Sequence, residues 1–377
     1  MKPRILVIHR SLAPYRIDFF NELYQRYQPD IYFEYSSVRE QELDPSLWQE
    51  RIHFPYKVLS PGPQSLPNWR KELWNICRQG RYDVVFMSEV NLITATLWAY
   101  RAFTMHPMRL IVVCDDSYPI AQDLIRDHWS LKKQVMNYGN IDGWVLCDKR
   151  TEQIYRDYFP KSSRFFTLPI IQSEAFFEKQ KALVQEESQA LRQIFCQREG
   201  ERSRLLLYVG RLAPEKNLKR LITAFERAFT HQPEMQLLIV GDGPERAMLQ
   251  EYAGRTSVAR QLFFCGKQEG RELYKHYAAA DAFVLPSIVE RFGATANEAL
   301  LMGLPTAVSR NAGISYLAEE RAAIHIFDPY DVEAMSQTLG SMMAQLPAWR
   351  PNRPSLMPIT FADAMENFFL HFEQLLP

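Results

Sequence analysis

Short apolar runs recur along the chain, separated by stretches long enough for helices. The first half carries RILVIH, DIYFEY, YDVVFMS, RLIVVCD and GWVLCD, and the second carries RLLLYVG, MQLLIVG, QLFFCG, AFVLP, PTAVS and AIHIF. The runs are continuous instead of alternating, which marks strands buried on both faces, as in a parallel sheet. Between them, segments such as 218–229 and 271–280 repeat their apolar positions at helical spacing. Strand followed by helix, repeated through both halves, predicts an α/β chain with parallel sheets. One helix is expected over residues 120–137. Near the end, Pro351, Pro354 and Pro358 interrupt the chain before residues 361–376, which put Phe368, Phe369, Phe372 and Leu375 on one face. This pattern predicts a terminal helix that packs back across a cleft.

With 377 residues the chain exceeds one ordinary core. The expected division is a Rossmann-like domain over 1–175, a polar, Glu- and Gln-rich linker of helical composition over 176–203, a second Rossmann-like domain over 204–355, and the returning helix over 356–377. Lys plus Arg and Asp plus Glu each total 44, so no global charge excess points to nucleic acid or an anionic membrane as the main partner, and any basic patch must be local. The five cysteines lack any C-x-x-C spacing, which indicates neither a disulfide framework nor a zinc site and fits a reducing cytoplasm. The run from Ile5 to Ile8 is too short for a signal-peptide core and reads as a first strand. No stretch approaches the roughly 20 apolar residues that cross a bilayer, so membrane contact is expected to be peripheral at most.

Open parallel sheets bind ligands beyond the carboxyl ends of their strands, which directs attention to the turns after the apolar runs. After RLLLYVG come Arg211 and then Pro214-Glu215-Lys216-Asn217 before a helix. Two cations in one strand-to-helix turn form an anion clamp, or else a solvated turn in which Lys216 pairs with Glu215. The turn Gly241-Asp242-Gly243-Pro244-Glu245-Arg246 fails the dinucleotide fingerprint, since its third glycine position is Arg246; it reads equally as a tight turn without ligand contact. In the segment from Ala282 to Pro305, Glu290 and Glu298 bracket a turn in which Gly293 permits close backbone approach. The N–H groups of Phe292, Gly293 and Ala294 can take a phosphate, and the two carboxylates can accept hydrogen bonds from sugar hydroxyls. The alternative for Glu298 is a partner of the helix dipole, and for Glu290 a surface charge.

These residues resemble the C-terminal domain of retaining glycosyltransferases of the GT-B fold, family 4 (group 1). The resemblance covers about residues 205–327 and rests on GRLAPEKN at 210–217, GDGPER at 241–246, FFCG at 263–266, ADAFVLPS at 280–287 and the E-x7-E pair in ERFGATANE at 290–298. It implies two Rossmann-like domains with parallel sheets facing across a cleft. It also implies that Arg211 and Lys216 contact the donor diphosphate, Glu290 lies against the transferred sugar, Glu298 binds the ribose, and Gly266 with the Lys267 backbone contacts the base. The family's small residue after the first Glu is replaced by Arg291 here. The usual Gly-Gly pair after the first strand is replaced by His9-Arg10-Ser11-Leu12-Ala13-Pro14-Tyr15-Arg16. In that stretch Arg16 is a candidate phosphate or acceptor contact, or else the partner of an acid. Asp115 and Asp116 end a strand where related enzymes place a group near the reacting sugar; Asp116 is the preferred candidate, with helix capping as its alternative.

No D-x-D occurs in the chain, so the expectation is transfer from a nucleotide-sugar donor without a metal or other cofactor. Retention of configuration and a glycan or lipid-linked acceptor, typical of bacterial surface-polysaccharide and glycolipid pathways, come from the resemblance. A GT-B epimerase, a phosphorylase or a non-catalytic sugar- or nucleotide-binding protein are the competing readings. Acceptor selection is assigned to the N-terminal half, where the rings in loops around Trp48, Trp69 and Trp74 either stack on sugars or fill the core. The segment 126–133, with Trp129, Leu131, Lys132 and Lys133, is compatible with a membrane-surface helix or with an ordinary exposed one.

Overall fold

A computed structural model describes residues 2–36, 45–62, 70–127, 130–138, 141–159, 164–196, 203–319 and 323–376. Trp69 and Trp129 lie outside the described residues. The chain divides into two compact units: Met1–Asp116, Ile120–Gln172 and Ala362–Pro377 form the first, and Ser117–Pro119 and Ser173–Phe361 the second.

The first unit is built on strands β1 (Ile5–His9), β2 (Asp30–Phe33), β3 (Lys57–Val58), β4 (Val84–Ser88), β5 (Arg109–Cys114), β6 (Gly143–Leu146) and β7 (Arg164–Thr167). All pairings are parallel, in the order β3-β2-β1-β4-β5-β6-β7. Helices α1 (Ile17–Tyr27), α2 (Leu73–Gly80), α3 (Leu92–Thr104), α4 (Tyr118–Arg126), α5 (Leu131–Tyr138) and α6 (Lys149–Tyr158) fill the crossovers. The central strands β4 and β5 are apolar on both faces because helices cover both. One side of their core is a cluster that includes Leu97, Tyr100, Leu110, Val112, Trp144 and Tyr155.

The second unit repeats the plan with α7 (Glu174–Cys196), β8 (Arg204–Val209), α8 (Leu218–Phe229), β9 (Met235–Val240), α9 (Arg246–Gly254), β10 (Leu262–Gly266), α10 (Gly270–Ala279), β11 (Ala282–Leu285), α11 (Ala294–Leu301), β12 (Thr306–Ser309), β13 (Ile324–Phe327) and α12 (Val332–Ala344). Its parallel order is β10-β9-β8-β11-β12-β13. In both units the strand order reverses beside the first strand of the unit, so β1/β4 and β8/β11 flank the switch points.

The structure refines the sequence reading at three places. The polar stretch read as a linker is the helix α7. It packs on α10 and spends its charges on ion pairs such as Lys275 to Glu187 at 3.5 Å. The single helix expected over 120–137 is two, α4 and α5; α5 opens after Ser130, whose Oγ accepts from the Lys133 N–H at 3.5 Å as an N-cap would. The terminal helix α13 (Phe361–Phe372) forms as expected and is grouped with the first unit. There its Phe368 meets Phe19 at 5.7 Å and its Phe372 meets Phe86 at 5.2 Å between ring centroids.

Candidate functional site

The switch point of the second unit gathers most of the candidate residues. After β8 the backbone passes Gly210 and Arg211 and closes a short 3-10 turn over Pro214–Lys216. Asn217 ends that turn in the left-handed region at φ 62°, a conformation that Asn tolerates better than most residues. Its buried side-chain amide donates to the Pro286 carbonyl at 3.1 Å and the Pro329 carbonyl at 2.8 Å. The clamp turn is thereby tied to the loop that follows β11. A backbone bond from Ile288 N–H to the Glu215 carbonyl, 2.8 Å, is a second tie.

Across this junction Lys216 Nζ donates to Glu290 Oε2 at 2.7 Å, and Ser287 Oγ donates to the same oxygen at 3.2 Å. The sequence alternative in which Lys216 pairs with Glu215 is replaced by one in which Arg211 does so, at 2.6 Å. That pair is partly exposed and Glu215 sits below the ordinary carboxylate range: burial works against ionisation, and the Arg211 hydrogen bond and nearby charges outweigh it. The Lys216–Glu290 pair is more enclosed, with each side chain below one fifth exposed. An ammonium and a carboxylate held by two strand ends are thus preset, and a phosphate can compete for the first while a hydroxyl addresses the second.

Gly293 follows at φ 108°, where a Cβ would stand 2.8 Å from Leu285 Cδ2. Glycine is therefore required by both backbone and packing, and α11 begins at the next residue, Ala294, with Phe292 buried beneath. The opening turn of such a helix carries N–H groups without intrahelical acceptors. Glu298 lies one turn further, half-buried, and its Oε2 accepts from the Tyr277 hydroxyl at 3.0 Å. That hydroxyl also donates to the Thr295 carbonyl at 3.1 Å, and burial followed by the Glu298 charge pushes its pKa well up. Tyr277 remains a donor and fixes the rotamer of Glu298.

The glycines at 241 and 243 have a structural reason. Gly241, at φ 141°, brings its α-carbon so near β8 that a Cβ would sit 1.9 Å from the Gly210 carbonyl oxygen. Leu212 N–H donates to the Asp242 carbonyl at 2.9 Å, and Glu245 N–H donates back to the Leu212 carbonyl at 2.9 Å. The GDGPER turn thus braces the Arg211 turn. Gly266, at φ 72°, gives its carbonyl to Gly241 N–H at 2.7 Å; the adjacent Lys267 pairs with Glu269 at 3.1 Å.

The N-terminal candidates fall in the first unit and form a separate cluster. Arg16 is buried and ion-paired with Asp115, the second of its two sequence readings. His9, one strand end away, is held below its usual pKa by burial and by the Arg16 charge. Asp116 is buried and accepts from Lys132 Nζ at 2.5 Å and from the Tyr155 hydroxyl at 2.5 Å, so it caps no helix. Burial alone raises the Asp116 carboxyl, but Lys132 and Tyr155 hold it below the ordinary range. Glu89, Cys114 and Asp116 place one ligand atom each within 4.8 Å of one another. The Lys132 ammonium stands among them, 2.7 Å from Cys114 Sγ and 3.8 Å from Glu89 Oε2. Among the described residues, this internal cation occupies the position that such a donor set offers to a metal.

Sequence reasoning gave no role to Asn217, Tyr277 and Ser287, and placed Lys132 on a surface helix when its ammonium is bound to Asp116. Asn217 carried a signal, a non-glycine residue suited to positive φ just before a helix. Tyr277 sits 21 positions before its partner on another helix, a relation no local pattern contains.

Residues 192–347 match the family model described as Glycosyl transferases group 1. A sulfoquinovosyl transferase of Arabidopsis thaliana is 34% identical over 133 residues, which are 34% of this chain and 24% of that protein. An alpha-monoglucosyldiacylglycerol synthase of Streptococcus pneumoniae is 27% identical over 182 residues, 48% of this chain and 40% of that protein. The matched stretch is under half the length of either relative. Among solved structures, the Anabaena protein HepE in complex with UDP and glucose aligns with a TM-score of 0.70 at 13% identity, covering 98% of this chain and 99% of that one. Sequence of the group 1 glycosyltransferase type therefore occupies the second unit, and the two parallel-sheet units have the fold of GT-B glycosyltransferases.

Proposed function

We propose that this chain is a retaining, metal-independent glycosyltransferase that moves a sugar from a nucleoside-diphosphate sugar to an acceptor hydroxyl on a glycan or glycolipid. The observation that carries the reading is the Lys216–Glu290 pair at 2.7 Å, held where β8 and β11 flank the switch point of the unit that matches the group 1 family. In this reading the second unit binds the donor. Arg211, Lys216 and the N-terminus of α11 at Phe292, Gly293 and Ala294 hold the diphosphate, Glu290 faces the sugar, Glu298 takes the ribose hydroxyls, and Gly266 with the Lys267 backbone meets the base.

The chemistry asked of these groups is charge stabilisation. The bond from the anomeric carbon to the diphosphate oxygen breaks, the acceptor oxygen bonds to that carbon on the same face, and the acceptor proton passes to the departing phosphate. Negative charge grows on the leaving group as this happens, and preset cations and N–H groups are most effective when they need not reorganise. The UDP-bound Anabaena structure of the same fold supports a nucleotide donor. The S. pneumoniae relative, named as a diacylglycerol glycolipid synthase, supports a lipid acceptor. The first unit then selects the acceptor, with Asp116 and Arg16 acting from the polar cluster described above and Trp48 as a candidate sugar platform.

The test is product analysis with a panel of nucleotide sugars in a chelating buffer. One donor is expected to release its nucleoside diphosphate only when acceptor is present, and proton NMR is expected to find the donor's anomeric configuration in the product. Interconversion of nucleotide sugars without acceptor, or a requirement for inorganic phosphate, would replace this reading with an epimerase or a phosphorylase.

A further inference from the structure

Helix α3 departs from the usual pattern of a sheet-covering helix. Its inner side is ordinary, with Ile93, Thr94, Leu97 and Tyr100 buried. Its outer side should then be polar, yet Leu92, Ala95, Trp98, Ala102 and Phe103 occupy that arc and are exposed. Phe103 is 81% exposed and Met105, just past the helix end, 88%. The one charged residue in the helix, Arg101, is turned aside and ion-paired with Asp142 at 2.6 Å. Trp74, on the neighbouring α2, extends the apolar surface: it is exposed and meets Tyr100 of α3 at 5.0 Å between ring centroids.

The border of this surface is basic. Lys71 stands just before α2, Arg78 lies one turn after Trp74 within it, and Arg81 follows the helix end; all three are exposed. Of the acids beside this border, Glu72 accepts from the Ser60 N–H at 2.6 Å and Asp142 pairs with Arg101. No exposed position of α2 or α3 carries an acid. Tryptophan and phenylalanine on one helix, beside lysine and arginine, match the polarity profile of the lipid–water boundary: apolar rings reach the acyl region while cations meet anionic headgroups. With 13 residues, α3 is about 20 Å long and too short to span a bilayer. Among the described residues no helix is long and apolar enough to do so.

We propose that the outer face of α3, with the basic border on α2, is a docking surface for an anionic phospholipid bilayer, with α3 lying in the plane of the interface. The site differs from the sequence candidate at 126–133. There Lys132 is committed to Asp116, and Lys133 is buried with its ammonium on the Ile125 carbonyl, so neither cation is offered outward. The proposal does not rest on sugar transfer.

Flotation of the full chain with vesicles tests it, using phosphatidylglycerol mixed with phosphatidylcholine against phosphatidylcholine alone. Wild type is expected to float with the anionic vesicles and to be released by high salt. A Trp98→Gln/Phe103→Ser double variant is expected to stay in the soluble fraction, and Lys71→Glu/Arg78→Glu to partition at least about 25-fold less, from roughly fivefold per cation lost. The substituted side chains are exposed, so unchanged thermal melting is expected to show that both variants fold. Wild type that does not float, or variants that float as wild type does, would overturn the proposal. So would a chain that ignores vesicles but forms a dimer abolished by Phe103→Ser, which would make the face a protein interface.

Discussion

Lys216 pairs with Glu290 among the described residues, and its proposed task is holding the leaving diphosphate. Lys216→Ala is expected to lower kcat by about 10² or more, the cost of one transition-state donor, with little change in thermal stability; a loss under threefold would remove it from the role. Lys132 is its counterpart in the first unit, a cation whose partners are wholly internal. The Asp116 carboxyl is depressed and Lys132 is raised, burial opposing each and their mutual charge prevailing. Stability from Asp116 is therefore complete above the ordinary Asp pKa of about 4 and is lost as pH falls through the lower folded value. Lys132→Met strands a buried carboxylate and is expected to cost about 3–5 kcal/mol near neutral pH. Burial then raises the carboxyl, so the variant should melt higher at pH 5 than at pH 7, where wild type does not. At this scale Arg211, Lys216, Glu290 and Glu298 could be singled out from the sequence because they share two short segments. Their supports could not: the Asn217 amide and the Tyr277 hydroxyl act on residues distant in the chain, and only the folded sheet brings them together.

Among the elements, the turn after β9 shows how a motif can serve a site without touching a ligand. Gly241 lets the turn press against Gly210, and its hydrogen bonds clamp Leu212 beside the Arg211 turn. Gly241→Ala adds a Cβ into a backbone oxygen at 1.9 Å and at a positive φ. A loss of about 2 kcal/mol or more in chemical unfolding is expected, together with weaker nucleotide binding; a variant as stable as wild type would contradict the bracing role. The long buried strands were legible because runs such as RLIVVC and MQLLIV are apolar without interruption. Strand β3 was not, since it is two exposed residues at the sheet edge, and β7 was not, since RFFT is four residues at the other edge. The break between α4 and α5 was also missed, because apolar spacing continues through it.

For the whole molecule, two repeats of the same switch-point sheet were readable from the two series of apolar runs, and the terminal helix from its row of phenylalanines. The packing of α7 on α10 was not, because a Glu- and Gln-rich stretch of helical composition carries no local sign of its partner. The division of labour follows from where the polar groups lie. The second unit presents its carboxylates and cations in partly accessible turns, and the first locks its own into an internal network. The account therefore stands on the second unit recognising a nucleotide. The measurement that bears on it most directly is calorimetric titration of UDP, GDP and ADP into wild type and Glu298→Ala, with chelator present. One nucleoside diphosphate is expected to bind wild type at micromolar concentration and to bind the variant about tenfold or more weakly, because a charged hydrogen-bond partner of the ribose is gone. Binding of none of the three, or equal binding to both proteins, would contradict the assignment of the donor site.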